Sequence, residues 1–153
     1  MGLSEHQDGE LTHGQSIARG VCRCLDSMGF ASLTEFVPAR GLRVDVMALG
    51  PKGEIWIVEC KSSRSDFQSD QKWHGYLPWC DRFFWAVDRD FPQHILPVQS
   101  GLFLADPYGG ELIAMPQATP LAAMRRKSLT RLFARQAAMR LARLRDPGAG
   151  QGS

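Results

Sequence analysis

Apolar side chains recur at helical spacing over residues 14–29, where Ile17, Val21, Leu25 and Met28 share one face with Cys24 beside them. Gly29 is placed to end that helix. Residues 32–37 instead alternate apolar and polar positions, the period of a half-buried strand, and Pro38 ends it. Two runs rich in Val and Ile follow, at 42–49 and 54–61. Between them, Pro51 suits the first central position of a type I turn and Gly53 the left-handed residue after it. The spacing therefore predicts a hairpin with a three-residue loop, 51–53. Ser65-Asp66-Phe67-Gln68 reads as a capping box opening a helix to about Leu77, stopped by Pro78.

Residues 81–87 read as a strand, 92–97 as irregular, and 102–105 as a short strand that turns through 106–110 into another at 111–114. Thr119-Pro120 reads as a cap and a first-turn proline, opening a long helix to about Arg145. The predicted order is α-β-β-β-α-β, then a β pair and a C-terminal helix. That is an α/β (α+β) domain with a central mixed sheet flanked by helices. One domain over 14–145 is expected, with disordered ends at 1–13 and 146–153.

Composition adds little to this picture: 153 residues, 44% hydrophobic and 22% charged, suit one globular domain. No run is apolar enough for a membrane helix, and the polar start lacks the pattern of a secretory signal, so the expected location is cytoplasmic. Cys22, Cys24, Cys60 and Cys80 match no metal-binding spacing and are read as buried free thiols. Charge changes the picture more. Residues 121–145 hold eight of the eighteen basic residues and no acidic one, the pattern of a local polyanion contact. Lys127, Arg131 and Arg135 form a row at i, i+4 and i+8. The apolar stripe of Leu129, Leu132, Phe133, Ala137, Leu141 and Leu144 lies elsewhere on the same helix.

The candidate chemistry follows from the hairpin. With 51–53 as the loop, Gly50 pairs with Glu54, and counting back sets Asp45 opposite Glu59. Lys61, two residues on, shares that face, while Trp56, Val58 and Cys60 point to the other. Two facing carboxylates can hold a Mg²⁺ ion that keeps water and a substrate phosphate in its remaining positions. A lysine beside them can stabilise charge on that phosphate. A cross-strand salt bridge is the competing reading. Facing acids and charges at the end of an apolar strand weigh against it.

Asp45, a Pro-Gly hairpin and Glu59-Cys60-Lys61 together resemble the D…(D/E)xK signature of the PD-(D/E)xK nuclease superfamily, and the element order resembles its restriction-endonuclease-like core. Across residues 14–145 the chain resembles the MmcB-type bacterial DNA repair proteins. The supporting stretches are Arg43-Val44-Asp45-Val46, the run 50–59, Asp70-Gln71-Lys72-Trp73 and Cys80-Asp81-Arg82-Phe83-Phe84. The resemblance implies a Mg²⁺-dependent DNA endonuclease in repair, with Mn²⁺ able to substitute, and a fold related to archaeal junction resolvases. It also leaves room for a homodimer. Val44 stands where the superfamily often has proline. The first helix offers Gln15, Arg19 and Arg23 where relatives often carry a glutamate, so Glu35 is the candidate third metal ligand beside Asp45 and Glu59. From the helix after the motif, Gln71 is the candidate to join Asp45, Glu59 and Lys61 in catalysis. Lys72, with Lys127, Arg131 and Arg135, is the candidate to bind DNA. Two other readings stand beside this one: a nuclease-fold protein that binds DNA without cutting it, and a protein-interaction domain whose basic helix docks an acidic partner.

Overall fold

The computed structural model describes residues 11–148. Helix α1 spans His13–Ser27, and strands β1, β2 and β3 span Ala31–Ala39, Leu42–Leu49 and Ile55–Cys60. A short helix α2, Arg64–Ser69, and a 3-10 helix, Trp73–Trp79, lead to β4, Arg82–Val87. Strands β5, Gly101–Asp106, and β6, Gly109–Ala114, precede the long helix α3, Ala123–Arg145. The six strands lie side by side in chain order. The β3–β4 and β4–β5 pairings are parallel and the others antiparallel, so the sheet is mixed, as the pattern predicts. None of the described helices is long and apolar enough to cross a membrane.

Each face of the sheet carries its own core. Val46, Ala48, Trp56, Val58, Phe84 and Phe103 pack under α1 through Ile17, Val21 and Leu25. On the other face Met47, Ile55, Ile57, Phe83 and Trp85 meet Tyr76 of the 3-10 helix and Leu129 and Phe133 of α3. Helix α1 is fixed at its start by a capping box: the Gln15 N–H donates to the Thr12 hydroxyl, and the Thr12 N–H donates to the Gln15 side chain. Thr12 and His13, expected in a disordered end, are thus its cap and first residue. The rest of that expectation falls largely on 1–10 and 149–153, outside the described residues. Farther along α1, a Cβ on Gly20 would overlap the carbonyl oxygens of Asp106 and Gly109. Glycine there lets the helix lie directly on the β5–β6 hairpin.

The bounds of three elements differ from the sequence reading, each for a physical reason. The helix after β3 is capped by Ser63, whose hydroxyl accepts the Asp66 N–H, two residues before the predicted box. It stops at Ser69 because the Asp70 carboxylate accepts the N–H groups of Lys72 and Trp73, bonds that compete with a continued helix. The chain restarts as the 3-10 turn, so Gln71 lies in the break between the two helices. Helix α3 begins at Ala123 rather than beside Thr119-Pro120. There the Thr119 N–H donates to the Asp81 carbonyl, and the Leu121 N–H donates to the Asp81 side chain, which holds this approach extended. Strand β1 continues past Pro38 to Ala39, because it is the sheet's edge and one side of it needs no ladder donors.

The α3 stripe is buried only in its first half. Leu129 and Phe133 are buried, whereas Leu141 and Leu144 are 48% and 80% exposed. Beyond Phe133 the helix touches β1 by polar ties instead. Gln136 donates to the Val37 carbonyl at 3.4 Å, and Arg140 donates to the carbonyls of Thr34 at 2.7 Å and Glu35 at 3.1 Å. Glu35 has φ of +49°, a left-handed conformation costing a non-glycine residue about 1–2 kcal/mol. Arg140 donates to the carbonyls on both sides of the Glu35 Cα, which opposes its relaxation.

Asp81 joins three parts of the chain. One carboxylate oxygen accepts the Ile55 N–H at 2.8 Å and the other the Leu121 N–H at 2.8 Å, while Arg126 grips both at 2.6 Å. Burial works to raise the Asp81 pKa, but Arg126 and the two backbone donors outweigh it and hold the carboxyl below the usual range. Asp81→Asn keeps the size and removes the charge. It is expected to cost about 3 kcal/mol, the low end for breaking a buried ion pair, because Arg126 is partly exposed. Urea unfolding of the variant measures this; a loss below about 0.5 kcal/mol would place the anchor of α3 elsewhere.

Candidate active site at the fork between β2 and β3

The hairpin has the predicted loop. The Gly50 N–H donates to the Glu54 carbonyl at 2.8 Å, and the ladder runs through Leu49–Ile55, Ala48–Trp56, Met47–Ile57 and Val46–Val58. It ends there. In the continued ladder the Cys60 N–H would meet the Val44 carbonyl. Instead it donates to the Asp45 carboxylate at 2.8 Å, and the Asp45 N–H donates to the Glu59 carboxylate at 2.8 Å. A side-chain oxygen thus takes the place of the Val44 carbonyl, the Asp45 N–H points to β3 where a continued ladder would turn it toward β1, and the strands part. Strand β2 departs with β1, through the pairs Phe36–Val44 and Ala39–Leu42. Strand β3 stays with β4, and its direction is continued by the Lys61 N–H donating to the Ala86 carbonyl at 2.9 Å.

The fork turns β2 over. Val44 belongs to the core under α3, yet Val46, two residues on, belongs to the core under α1. A regular strand would put both on one face. The reversal falls at Asp45, and by the count of the β1–β2 pairing Glu35 stands across from it. Glu35 is exposed and does not complete a set of three acids. Among the described residues no three of His, Cys, Asp and Glu converge to hold a metal ion. The Glu35 backbone is left-handed there.

Lys61 is buried at the mouth of the fork, with its ammonium 2.8 Å from Asp70 and 3.9 Å from Asp66. Both acids are held in turn by backbone donors: Asp70 by Lys72 and Trp73, and Asp66 by Ser62. Burial works to lower the Lys61 pKa, but the Asp70 hydrogen bond and the surrounding negative charge overcome it, so the pKa is raised and the ammonium stays protonated. The acids behave oppositely. Burial and the neighbouring Asp45 charge push Glu59 up to about 9, and burial raises Asp45 as well. Burial, with the same field added to it, pushes the Tyr76 hydroxyl up to about 12.

Asp45 lines an open groove of about 1060 Å³ between α1 and β1, with Gln15, Arg19, Arg23, Thr34 and Glu35 along its walls. Glu59 and Lys61 are buried and do not line it. Arg23 is tied to the Tyr108 carbonyl at 3.0 Å; Arg19 is exposed. Gln71 stays outside the site: it is exposed, and its amide donates to the Gln68 carbonyl at 3.3 Å. Its predicted inward direction needed the helix that Asp70 interrupts. Lys72 is exposed beside it, and Lys127, Arg131 and Arg135 are exposed along α3. The row stands about 200° round the helix from Leu129 and Phe133, so it points away from the sheet. The sequence reading places Asp66 only in a capping box and gives Asp70 no function, yet these are the acids that hold Lys61. Neither stands at a helical spacing from Lys61, so no local pattern signals the pairing.

A family model of MmcB-like DNA repair proteins matches residues 4–148. The chain belongs to the MmcB-like DNA repair family. A solved structure of a protein of unknown function from Silicibacter pomeroyi is similar to this MmcB-like chain. It has a TM-score of 0.90 and 61% identity, over 92% of this chain and 96% of that one. Comparison with curated proteins gave no match.

The raised Glu59 pKa makes stability of the MmcB-like protein depend on pH. Its carboxyl gives up the proton at about 9 in the fold against 4.5 ordinarily, so the folded state is penalised progressively as pH rises through that window. Glu59→Gln keeps an oxygen for the Asp45 N–H and never ionises. With a chelator present, its melting temperature should exceed that of the wild type by a margin that widens from pH 5 to pH 9. A margin that stays constant would contradict the assigned shift.

Proposed function

We propose that this MmcB-like protein is a DNA endonuclease of the PD-(D/E)xK type that works in DNA repair with Mg²⁺, or Mn²⁺ in its place. The observation that carries this reading is the pair of carboxylates at the fork. Asp45 and Glu59 each accept a backbone N–H at one oxygen, which fixes their direction, and the two carboxyls also hydrogen-bond to each other, so a cation that displaced their shared proton would lie between them. Two oxygen donors of this kind suit Mg²⁺, which retains several waters and bonds to substrate phosphate. The buried acids resist carrying two negative charges, a cost that a divalent cation relieves. Bound there, the ion supplies an activated water and neutralises charge developing on the phosphodiester.

The chain's own residues divide the remaining work. Lys61, kept protonated by Asp70, is a poor proton acceptor and acts as a fixed positive charge beside the phosphate. Asp70 holds its direction. Lys72 and the row of Lys127, Arg131 and Arg135 bind the DNA backbone, adding affinity without reading bases. A second reading has an observation of its own. Among the described residues no third ligand joins Asp45 and Glu59, which favours a nuclease-fold protein that binds DNA structures in a repair complex without cutting them.

Incubation of the purified protein with branched, flapped, mismatched and plain duplex DNA separates the two. Cleavage of at least one substrate with Mg²⁺ or Mn²⁺, absent with a chelator, is expected. Asp45→Asn should abolish cleavage and Mn²⁺ binding while DNA binding and the fold survive. Binding without cleavage by the wild type under every metal condition would leave the second reading.

Changing Lys127, Arg131 and Arg135 together to Gln keeps helix propensity and the buried stripe. The triple variant should bind every DNA more weakly, with a shallower dependence of affinity on salt, because fewer counterions are released. Equal affinity and equal salt slope would remove α3 from the DNA contact.

A further inference from the structure

The backbone of β1 beside the fork is gripped from α3. Arg140 lies past the last buried residue of that helix, yet its guanidinium is not left to solvent. Nη1 donates to the Thr34 carbonyl at 2.7 Å and Nη2 to the Glu35 carbonyl at 3.1 Å. These are the consecutive carbonyls on either side of the Glu35 Cα, and the second belongs to that residue, whose φ is +49°. Gln136, one helical turn earlier, donates to the Val37 carbonyl at 3.4 Å. Pairing across to β2 is regular at Thr34–Val46 and at Phe36–Val44, and the residues enclosed by those two pairs are Glu35 and Asp45. The turned-over step of β2 is therefore matched by the left-handed step of β1. If Glu35 relaxed to an ordinary extended conformation, the pairing that lets β2 reverse at Asp45 would shift with it.

We infer that Arg140 is a positioning residue for the Asp45–Glu59 site: it holds Glu35 left-handed, and through the β1–β2 pairing it fixes the reversal that points the Asp45 carboxylate at the Cys60 N–H. The guanidinium is suited to this task. Its planar fork of donors spans two neighbouring carbonyls at once, which a lysine ammonium on a flexible stem does not do with fixed geometry. Neither Arg140 nor Glu35 touches the metal in this scheme. The inference rests on the metal reading above for its effect on binding, but its structural part stands without any metal.

Removing a group that orients a metal ligand typically weakens metal binding by about 10- to 100-fold. Arg140→Gln should thus weaken Mn²⁺ binding by about tenfold. Without metal, it should speed amide hydrogen exchange at Asp45 and Cys60, whose N–H groups carry the crossed bonds. The decisive variant restores the site without restoring the arginine. Glycine adopts the left-handed conformation freely, so Glu35→Gly in the Arg140→Gln background should return both Mn²⁺ affinity and slow exchange to within about threefold of wild type. Glu35→Gly alone should leave both unchanged. Three results overturn the inference: unchanged exchange at Asp45 and Cys60 in Arg140→Gln, no recovery in the double variant, or loss of Mn²⁺ binding in Glu35→Gly alone, which would make Glu35 a ligand. Absence of Mn²⁺ binding in the wild type would sink the metal reading instead, and the exchange measurements would still decide the role of Arg140.

Discussion

Two hydrogen bonds crossed between β2 and β3 set the architecture of this protein. The N–H of Asp45 goes to the side chain of Glu59, and the N–H of Cys60 goes to the side chain of Asp45. A ladder that continued would have used backbone carbonyls and needed no charged residue. Because carboxylates take over, β2 is released toward β1 and β3 remains with β4. The gap between them opens onto the groove under α1. The core under α1, the core under α3 and the site all meet at this one departure from regular pairing.

The same departure concentrates charge where water is scarce. Glu59 and Lys61 are among the few buried charged residues, and Asp81 is another. The three are handled differently. Asp81 meets a guanidinium and two backbone donors, so its charge is satisfied and its role is to tie α3 to β3 and β4. Lys61 is satisfied by Asp70 with help from Asp66. Glu59 is the one held against its preference, facing another acid in a buried place. Well-paired buried charges serve the fold, while an uncompensated one marks the place where a ligand can be useful.

The sequence was informative where local chemistry and global fold agree. The loop 51–53 depends on Pro51 and Gly53 alone, and once it is set, the opposition of Asp45 and Glu59 follows by counting. The mixed sheet, α1 and the outward row on α3 were readable from periodicity for the same reason. What was illegible depends on bonds between distant residues. Asp81 holds the segment before α3 extended and so overrides a plausible Thr119-Pro120 start. Asp70 ends α2 because it serves Lys61 and two backbone donors at once, and Gln71 loses its inward direction as a result. Glu35 looked like a third ligand because an acid stood near the right place. Its left-handed backbone, held by a residue more than a hundred positions away, has no signature in the local sequence.

The position between Glu59 and Lys61 shows what kind of constraint the fork imposes on sequence change. Cys60 contributes its backbone N–H to Asp45 and its side chain to the core under α1. The fork thus asks nothing of the sulfur. Any residue with a backbone donor and a small apolar side chain meets both demands, and proline alone among the small ones fails, since it has no N–H to give. A position that looks freely variable when read as letters is here subject to a backbone requirement, one that nineteen of the amino acids satisfy and only packing narrows further.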